Sequence, residues 1–439
     1  MDIQEEKLRR SIEIKIKKIF DLRKKKEKFI PGKTFIQYAG SVFDDNEVNA
    51  MVSTIIDGWF GLGKQASEFE TKLAQFIGAK GSILTNSGSS SNLLAVAALM
   101  SPFLENHLKR GDEVITAACG FPTTINPLIL FGLTPVFLDI NPETYNLDIK
   151  DLEKALSKKT RAVMVAHTLG NPNQMDGIKR FCKEHKLFLI EDNCDALGSE
   201  YDGKKTGSFG VMTTQSFYPP HHLTMGEGGA VVINDYKFER IVRSLRDWGR
   251  ACWCSGAEKN RFGACGKRFS YKINGKPYDH KYIFNQIGFN LKPIEPQAAM
   301  GVKQFKRLPF FIKKREANFK RLNNYAKKWE NYFILPKSLP KAKACWFAYP
   351  LTIKKDVKFS RYKITTYLEN NLIQTRPLFA GNIIRQPAYA KIKYRKIGSL
   401  KHSDLVLHNT FFIGIYPGLG NEQIDYMAHK IEKFLKKYK

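Results

Sequence analysis

Apolar residues recur at helical spacing near the start of the chain, where Leu8, Ile12, Ile16 and Ile19 stand on a charged background between Glu6 and about Phe29. That period predicts an amphipathic leading helix laid on the main body. From about Ile83 the pattern changes to short apolar runs, Glu113 to Thr116, Pro135 to Leu138, Ala162 to Ala166, Leu187 to Ile190 and Ala230 to Ile233, separated by helical stretches. Short continuous runs alternating with helices predict a mostly parallel sheet covered on both faces. Past Arg307 a long charged segment, Ile312 to Tyr332, reads as helix, followed by a strand-like Ala348 to Ile353 and a helical Ile424 to Tyr438. The organisation expected is α/β, with an N-terminal helical segment over 1–50, a large domain over 51–307 and a smaller C-terminal α/β domain over 308–439.

Composition narrows this picture. A chain of 439 residues can bury a large core and divide into two or three lobes. It contains no run of eighteen apolar residues, and its start, Met1-Asp2-Ile3-Gln4-Glu5-Glu6, is acidic where a secretory signal is basic and then apolar. A soluble cytoplasmic enzyme with no membrane span is the expectation. The 71 Lys and Arg against 42 Asp and Glu give a net charge of +29, which favours anionic ligands. The lysines are scattered, the densest runs lie near the termini, and no zinc-finger or aromatic-basic motif accompanies them, so nucleic acid is not an expected partner. Seven cysteines, an odd count in a long chain, argue against a disulfide framework.

Four segments carry candidate chemistry. Thr85-Asn86-Ser87-Gly88-Ser89-Ser90-Ser91-Asn92 lies between a strand-like run and a helix, where free amides at the helix start face an anion. Leu189-Ile190-Glu191-Asp192-Asn193-Cys194-Asp195 ends a buried strand in acids, at the edge where open α/β sheets bind ligands. Gly120-Phe121-Pro122-Thr123-Thr124 offers a ring suited to stacking on a flat heterocycle. Ser216-Phe217-Tyr218-Pro219-Pro220-His221-His222-Leu223-Thr224-Met225-Gly226-Glu227-Gly228-Gly229 places a serine hydroxyl five residues before a histidine. Taken singly, each also fits a helix cap, a strand end or a core side chain.

In this order the segments resemble the sugar-modifying aminotransferases of fold type I often grouped as the DegT, DnrJ, EryC and StrS family, over nearly the whole chain. The resemblance is sharpest to the family's 3-dehydrase branch of lipopolysaccharide and ascarylose synthesis, which acts on CDP-4-keto-6-deoxyglucose. It rests there on Ala166-His167-Thr168-Leu169-Gly170-Asn171, Asp247-Trp248-Gly249-Arg250, Phe379-Ala380-Gly381-Asn382 and Gly414-Ile415-Tyr416-Pro417-Gly418. It implies a pyridoxal phosphate fold, with Ser89 and Ser90 at the phosphate through backbone amides and Ser216 through its hydroxyl. Phe121 would then lie over the ring, Asp192 on the pyridine nitrogen and Asp195 beside it. Asn290, in Gly288-Phe289-Asn290, would reach the phosphate of a partner subunit, implying a homodimer.

The family spacing from Ser216 to Glu227 puts His221 where aminotransferases carry the lysine that binds the cofactor aldehyde. An imidazole cannot form that bond but is a base near neutral pH. The resemblance therefore implies resident pyridoxamine phosphate (PMP) and a histidine that abstracts a proton while the hydroxyl at sugar carbon 3 leaves. An ordinary imidazole pKa of about 6.5 suits that role. His222 reads either as a supporting hydrogen bond or as a partly buried histidine.

Cys252-Trp253-Cys254 and Cys265 fall in one loop, and the resemblance adds Cys194 as a fourth ligand for a two-iron two-sulfur cluster. The Cys-X-Cys pair differs from zinc-ribbon spacing. Ten residues separate Cys254 from Cys265, a longer loop than the family's. Cys119, Cys182 and Cys345 read as core. A flavin and iron-sulfur reductase as electron donor follows from the resemblance. Two other readings compete: a cluster-free GDP-sugar dehydratase recycled by glutamate, and a non-catalytic nucleotide-binding scaffold. Arg376, Arg385 and Lys393 are candidates for a diphosphate or for solvated surface charge.

Overall fold

The computed structural model describes residues 2–24, 28–252 and 268–438. Its centre is an eight-stranded sheet in the order Gly81–Thr85, Gly229–Ile233, Met212–Ser216, Phe188–Asp192, Thr160–Ala166, Glu113–Ala117, Thr134–Leu138 and Arg395–Lys396. Pairing is parallel from Met212–Ser216 to Arg395–Lys396, while Gly229–Ile233 runs antiparallel to both its neighbours. All five apolar runs become strands of this sheet. Their side chains feed apolar layers on both faces, one under helices Gly88–Leu99 and Lys237–Arg246 and the other against Met175–Glu184. The α/β expectation holds, with the strand carboxyl ends left free to form a site.

A second, antiparallel sheet, Phe333–Ile334, Ala348–Ile353, Thr410–Gly414 and Arg376–Pro377, makes the small lobe with helices Arg361–Glu369 and Asn421–Leu435. The lobes share the helix Glu295–Ala326, which runs unbroken through the boundary expected at 307 and begins on the large lobe. Pro296 sits in its first turn, where a missing N–H costs nothing. Residues of the N-terminal segment also divide: Ile36 bridges Ile373 of the small lobe, whereas helix Asp45–Ile56 packs on Glu295–Ala326.

The leading helix forms as Ile3–Lys24, but none of its residues is buried. It touches the body along one side, through Phe20 edge-on to Phe43 and an Arg9–Asp57 ion pair at 2.8 Å. Leu8, Ile12 and Ile19 stay exposed while Ile16 is partly covered, so the helix lies against the body as expected but leaves much of its apolar face open. Among the described residues no helix is long and apolar enough to cross a membrane.

Candidate active site

A cleft of about 1250 Å³ opens at the carboxyl ends of the parallel strands, closed on its far side by Phe347, Phe379, Tyr389 and Phe412 of the C-terminal part of the chain. Asp192, the last residue of Phe188–Asp192, lies on its floor and is 6% exposed. Asn92 Nδ2 and Thr124 Oγ1 donate to its Oδ2 at 2.9 and 2.7 Å, and the Cys194 amide donates to Oδ1 at 3.2 Å. Thr214 in turn donates to Asn92 Oδ1 at 2.6 Å. Its partners among the described residues are all neutral donors, an arrangement that suits an acceptor for a heterocyclic N–H.

Beside it, helix Gly88–Leu99 begins with Ser87 as cap, whose Oγ accepts from the Ser90 amide at 3.1 Å. The amides of Gly88 and Ser89 precede any intrahelical acceptor and open on the cleft, whereas the Ser90 amide is taken by the cap. Of the two serine amides expected at a phosphate, that of Ser89 opens on the cleft and that of Ser90 is engaged by the cap. A side chain at Gly88 has no room, because its Cβ would stand 2.4 Å from Ser216 Cβ. That closeness brings the Ser216 hydroxyl to the helix start, the arrangement a phosphate requires. Phe121 is not core: it is 48% exposed at the cleft, edge-on to Phe379 at 5.5 Å.

His221 stands on the loop between Met212–Ser216 and Gly229–Ile233, and its side chain is mostly buried in the cleft wall. Nε2 lies 3.5 Å from Asp195 Oδ1, and Nδ1 is buried without a partner among the described residues. The rings of Phe347 and Tyr218 meet the imidazole edge-on at 5.7 and 5.9 Å. Burial pushes the His221 pKa down to about 4. The ordinary value expected from sequence is therefore corrected: the imidazole is a weaker base but is unprotonated throughout the neutral range. Burial, then the charge of Asp192, pushes Asp195 up to about 7.

His222 points the other way, 2% exposed, with Nε2 donating to the Cys345 carbonyl at 2.8 Å. It provides the supporting hydrogen bond, and burial holds its pKa well below 6.5. Below pH 6.5 the unfolded chain takes a proton that the folded chain refuses, so this residue makes stability fall as pH drops, by up to about 1.4 kcal/mol per pH unit. His221 acts in the same sense, while Asp195, whose folded pKa is raised, acts oppositely between 3.8 and about 7 and offsets it. His222→Gln is expected to flatten the decline of the urea midpoint between pH 6.5 and 5; an unchanged slope would show that the histidine is not buried neutral.

Two side chains, Tyr38 and Arg315, emerged only with the fold. Tyr38 lines the cleft from the N-terminal segment, with the Arg376 guanidinium 4.9 Å from its ring centre. Arg376 itself faces the cleft, while Arg385 lies outside it, paired with Asp404 at 3.0 Å, and Lys393 also lies outside. Arg315, on the shared helix, donates to the carbonyls of Pro220 and His221. Its signal in the sequence is its register with the apolar Leu308, Phe311 and Leu322, easily lost among neighbouring charges.

The cysteines divide. Cys194 lines the cleft floor, and burial with the charges of Asp192 and Asp195 holds its thiol well above its usual pKa. Cys252 is half-buried and outside the cleft, and Cys254 and Cys265 lie outside the described residues. Cys119, Cys182 and Cys345 are buried, as expected of core. Asn290 is exposed, bridging Asp247 away from this chain's own cleft.

Comparison with known proteins agrees with this geometry. The model of the DegT/DnrJ/EryC1/StrS aminotransferase family matches residues 42–432. Lipopolysaccharide biosynthesis protein RfbH of Salmonella typhimurium is 45% identical over 92% of this chain and 93% of its own. A dTDP-4-dehydro-2,6-dideoxy-D-glucose 3-dehydratase of Saccharopolyspora spinosa is likewise 45% identical, over 93% of this chain and 88% of its own. Among solved structures, a histidine mutant of GDP-4-keto-6-deoxymannose-3-dehydratase (ColD) with bound GDP-perosamine superposes with a TM-score of 0.80 at 28% identity, covering 91% of this chain and all of that one. The same dehydratase with a trapped PLP-glutamate geminal diamine superposes equally well, over 90% of this chain and 99% of that one. The chain is an enzyme rather than a binding scaffold, has the fold-type-I architecture, and belongs to the DegT/DnrJ/EryC1/StrS aminotransferase family.

Proposed function

We propose that this enzyme is a PMP-dependent 3-dehydratase of a nucleotide-linked 4-keto-6-deoxyhexose, CDP-linked by preference, working in the cytoplasm on the way to 3,6-dideoxysugars for lipopolysaccharide. The observation that carries the reading is His221 at the lysine position of a cleft that keeps every other feature for the cofactor. When bound, PMP supplies an amine that condenses with a sugar ketone and a ring that takes up electrons. Asp192 holds a proton on the ring nitrogen. The amides of Gly88 and Ser89 and the Ser216 hydroxyl hold the phosphate, and Phe121 covers one face of the ring and excludes water. His221, in the cleft wall, is the base that accepts the proton. With no lysine to bind covalently, these contacts alone retain the cofactor.

Cys194, Cys252, Cys254 and Cys265 are proposed as ligands of a two-iron cluster fed by a flavin and iron-sulfur reductase. The position of Cys194, two residues past Asp192 in the same cleft, supports electron delivery close to the ring. Its protonated, buried thiol becomes a ligand only where the charge of iron offsets the two neighbouring carboxylates. A homodimer is also proposed, since exposed Trp248, Tyr282, Phe284 and the 96% exposed Ile287 lie on the same paired segments, 247–251 and 282–290, as Asn290.

The second reading, a cluster-free GDP-sugar dehydratase recycled by glutamate, is favoured by the PLP-glutamate adduct named for the similar dehydratase structure and by 30% identity to GDP-4-keto-6-deoxy-D-mannose 3-dehydratase of Yersinia pseudotuberculosis. Anaerobic purification followed by iron analysis and electron paramagnetic resonance separates the two. Assays with CDP- and GDP-linked 4-keto-6-deoxyhexoses, with and without a reductase, complete the test. Bound iron and reductase-dependent deoxygenation of the CDP-sugar are expected. A protein that stays iron-free after reconstitution and turns over the GDP-sugar with glutamate would establish the second reading.

A further inference from the structure

The helix Glu295–Ala326 carries Leu308, Phe311, Arg315, Asn318 and Leu322 on one buried stripe, so a guanidinium stands where the helical period favours an apolar side chain. Arg315 is fully buried. Among the described residues no carboxylate lies within ion-pair distance. Nη1 instead donates to the Phe347 carbonyl at 2.7 Å and Nη2 to those of Pro220 and His221 at 3.2 and 3.3 Å, while Nε has no partner. A buried charge satisfied only by carbonyls is costly to keep, and a fold that needed mere packing here would be better served by leucine or methionine.

The groups it touches are those that hold the base. Two of the three carbonyls belong to the turn that ends in His221, and the third belongs to Phe347, whose ring meets the imidazole edge-on at 5.7 Å. The guanidinium lies 5.7 Å from the centre of that same ring. One planar fork therefore ties both the backbone of His221 and the ring against which its side chain rests. Lysine offers no planar fork and cannot reproduce the set.

We infer that Arg315 is the positioning residue for His221, a buried cation carried in by the helix common to both lobes, which fixes the imidazole in the cleft by holding its own backbone and its aromatic support. Its charge is repelled by any proton added to the imidazole, and it acts on His221 and His222 in the same direction as burial. The other titratable groups facing His221 are Asp192 and Asp195 from the end of the central strand and Tyr218 and His222 from its own loop, with Cys345 behind His222. Arg315 is the only fixed cation among these described groups.

The role rests on His221 being the base, but its first readout is a titration that needs no turnover, so its failure and the failure of that reading are distinct. In cofactor-free protein carrying ¹³C-labelled histidine, the His221 signal is identified by its loss in His221→Asn. The native ring is expected to remain neutral down to pH ~5. In Arg315→Met the midpoint should rise by about one pH unit or more, a tenfold change in proton affinity. Arg315→Lys keeps the charge but loses the fork: the midpoint should stay low while kcat falls about tenfold and KM changes less than about twofold. If Arg315→Met does not fold, Arg315→Lys decides through the kcat and KM split. A His221 midpoint unmoved in Arg315→Met, or an Arg315→Lys enzyme that is less stable yet has native kcat, overturns the inference.

Discussion

Replacing His221 by lysine is expected to abolish dehydration and to create a covalent lysine–cofactor absorbance band when the protein is loaded with pyridoxal phosphate. The cleft has the geometry to receive that bond, because Asp192, Ser216 and the helix start at Gly88 converge on it independently of residue 221. Loss of the base alone should lower turnover by about 10²–10⁴-fold. His221→Asn should lose as much without acquiring the band, which separates removal of the base from capture of the cofactor. Absorbance and steady-state turnover measured on both variants check this; a lysine variant that keeps dehydrating at the native rate would remove His221 from the chemistry.

Asp192→Asn is expected to be the second large effect. Oδ2 already accepts from Asn92 and Thr124, and Oδ1 accepts the Cys194 amide. An amide whose oxygen keeps the first two bonds turns its NH₂ toward the Cys194 amide and the cleft, so a donor meets a donor and nothing remains to hold a ring proton. A fall in kcat of about 10²–10³-fold is the scale for losing one such preorganised group. The unsatisfied buried amide should also cost about 1–3 kcal/mol of stability. Turnover and urea unfolding of the variant report the two effects separately, and near-native kcat would show that Asp192 serves only as a cap for the following turn.

Much of this arrangement was legible because it depends on local sequence. The five apolar runs became strands because a strand buried on both faces must be apolar throughout. The spacing from Ser216 to His221 placed both on the cleft because one strand and its loop carry them. Strand Met212–Ser216 was harder to read, since Met-Thr-Thr-Gln-Ser is mostly polar, yet it is fully buried in the sheet. Its hydroxyls find partners that only the fold supplies, Thr214 on Asn92 and Thr213 on the Gly207 carbonyl.

What escaped the sequence depends on long-range meetings. Nothing near Arg315 announces that it will reach a turn 94 residues earlier in the chain. Tyr38 enters the cleft only because Ile36 pairs with Ile373. The helix Glu295–Ala326 continues through Pro309, since one missing donor inside a helix packed on both lobes does not outweigh its tertiary contacts. The pKa of His221 likewise follows from burial by residues remote in sequence, which no motif encodes.

The central claim, that a histidine base in a retained cofactor cleft drives loss of the hydroxyl at sugar carbon 3, is tested most directly with a CDP-4-keto-6-deoxyhexose carrying ¹⁸O at that carbon. Protein loaded with PMP is mixed with the sugar, and the label appearing in water is followed by mass spectrometry for the native enzyme and for His221→Asn. Label release by the native enzyme and its loss in the variant are the expected result. Retention of the label by the native enzyme with formation of an amino sugar, or equal release by both proteins, would contradict it.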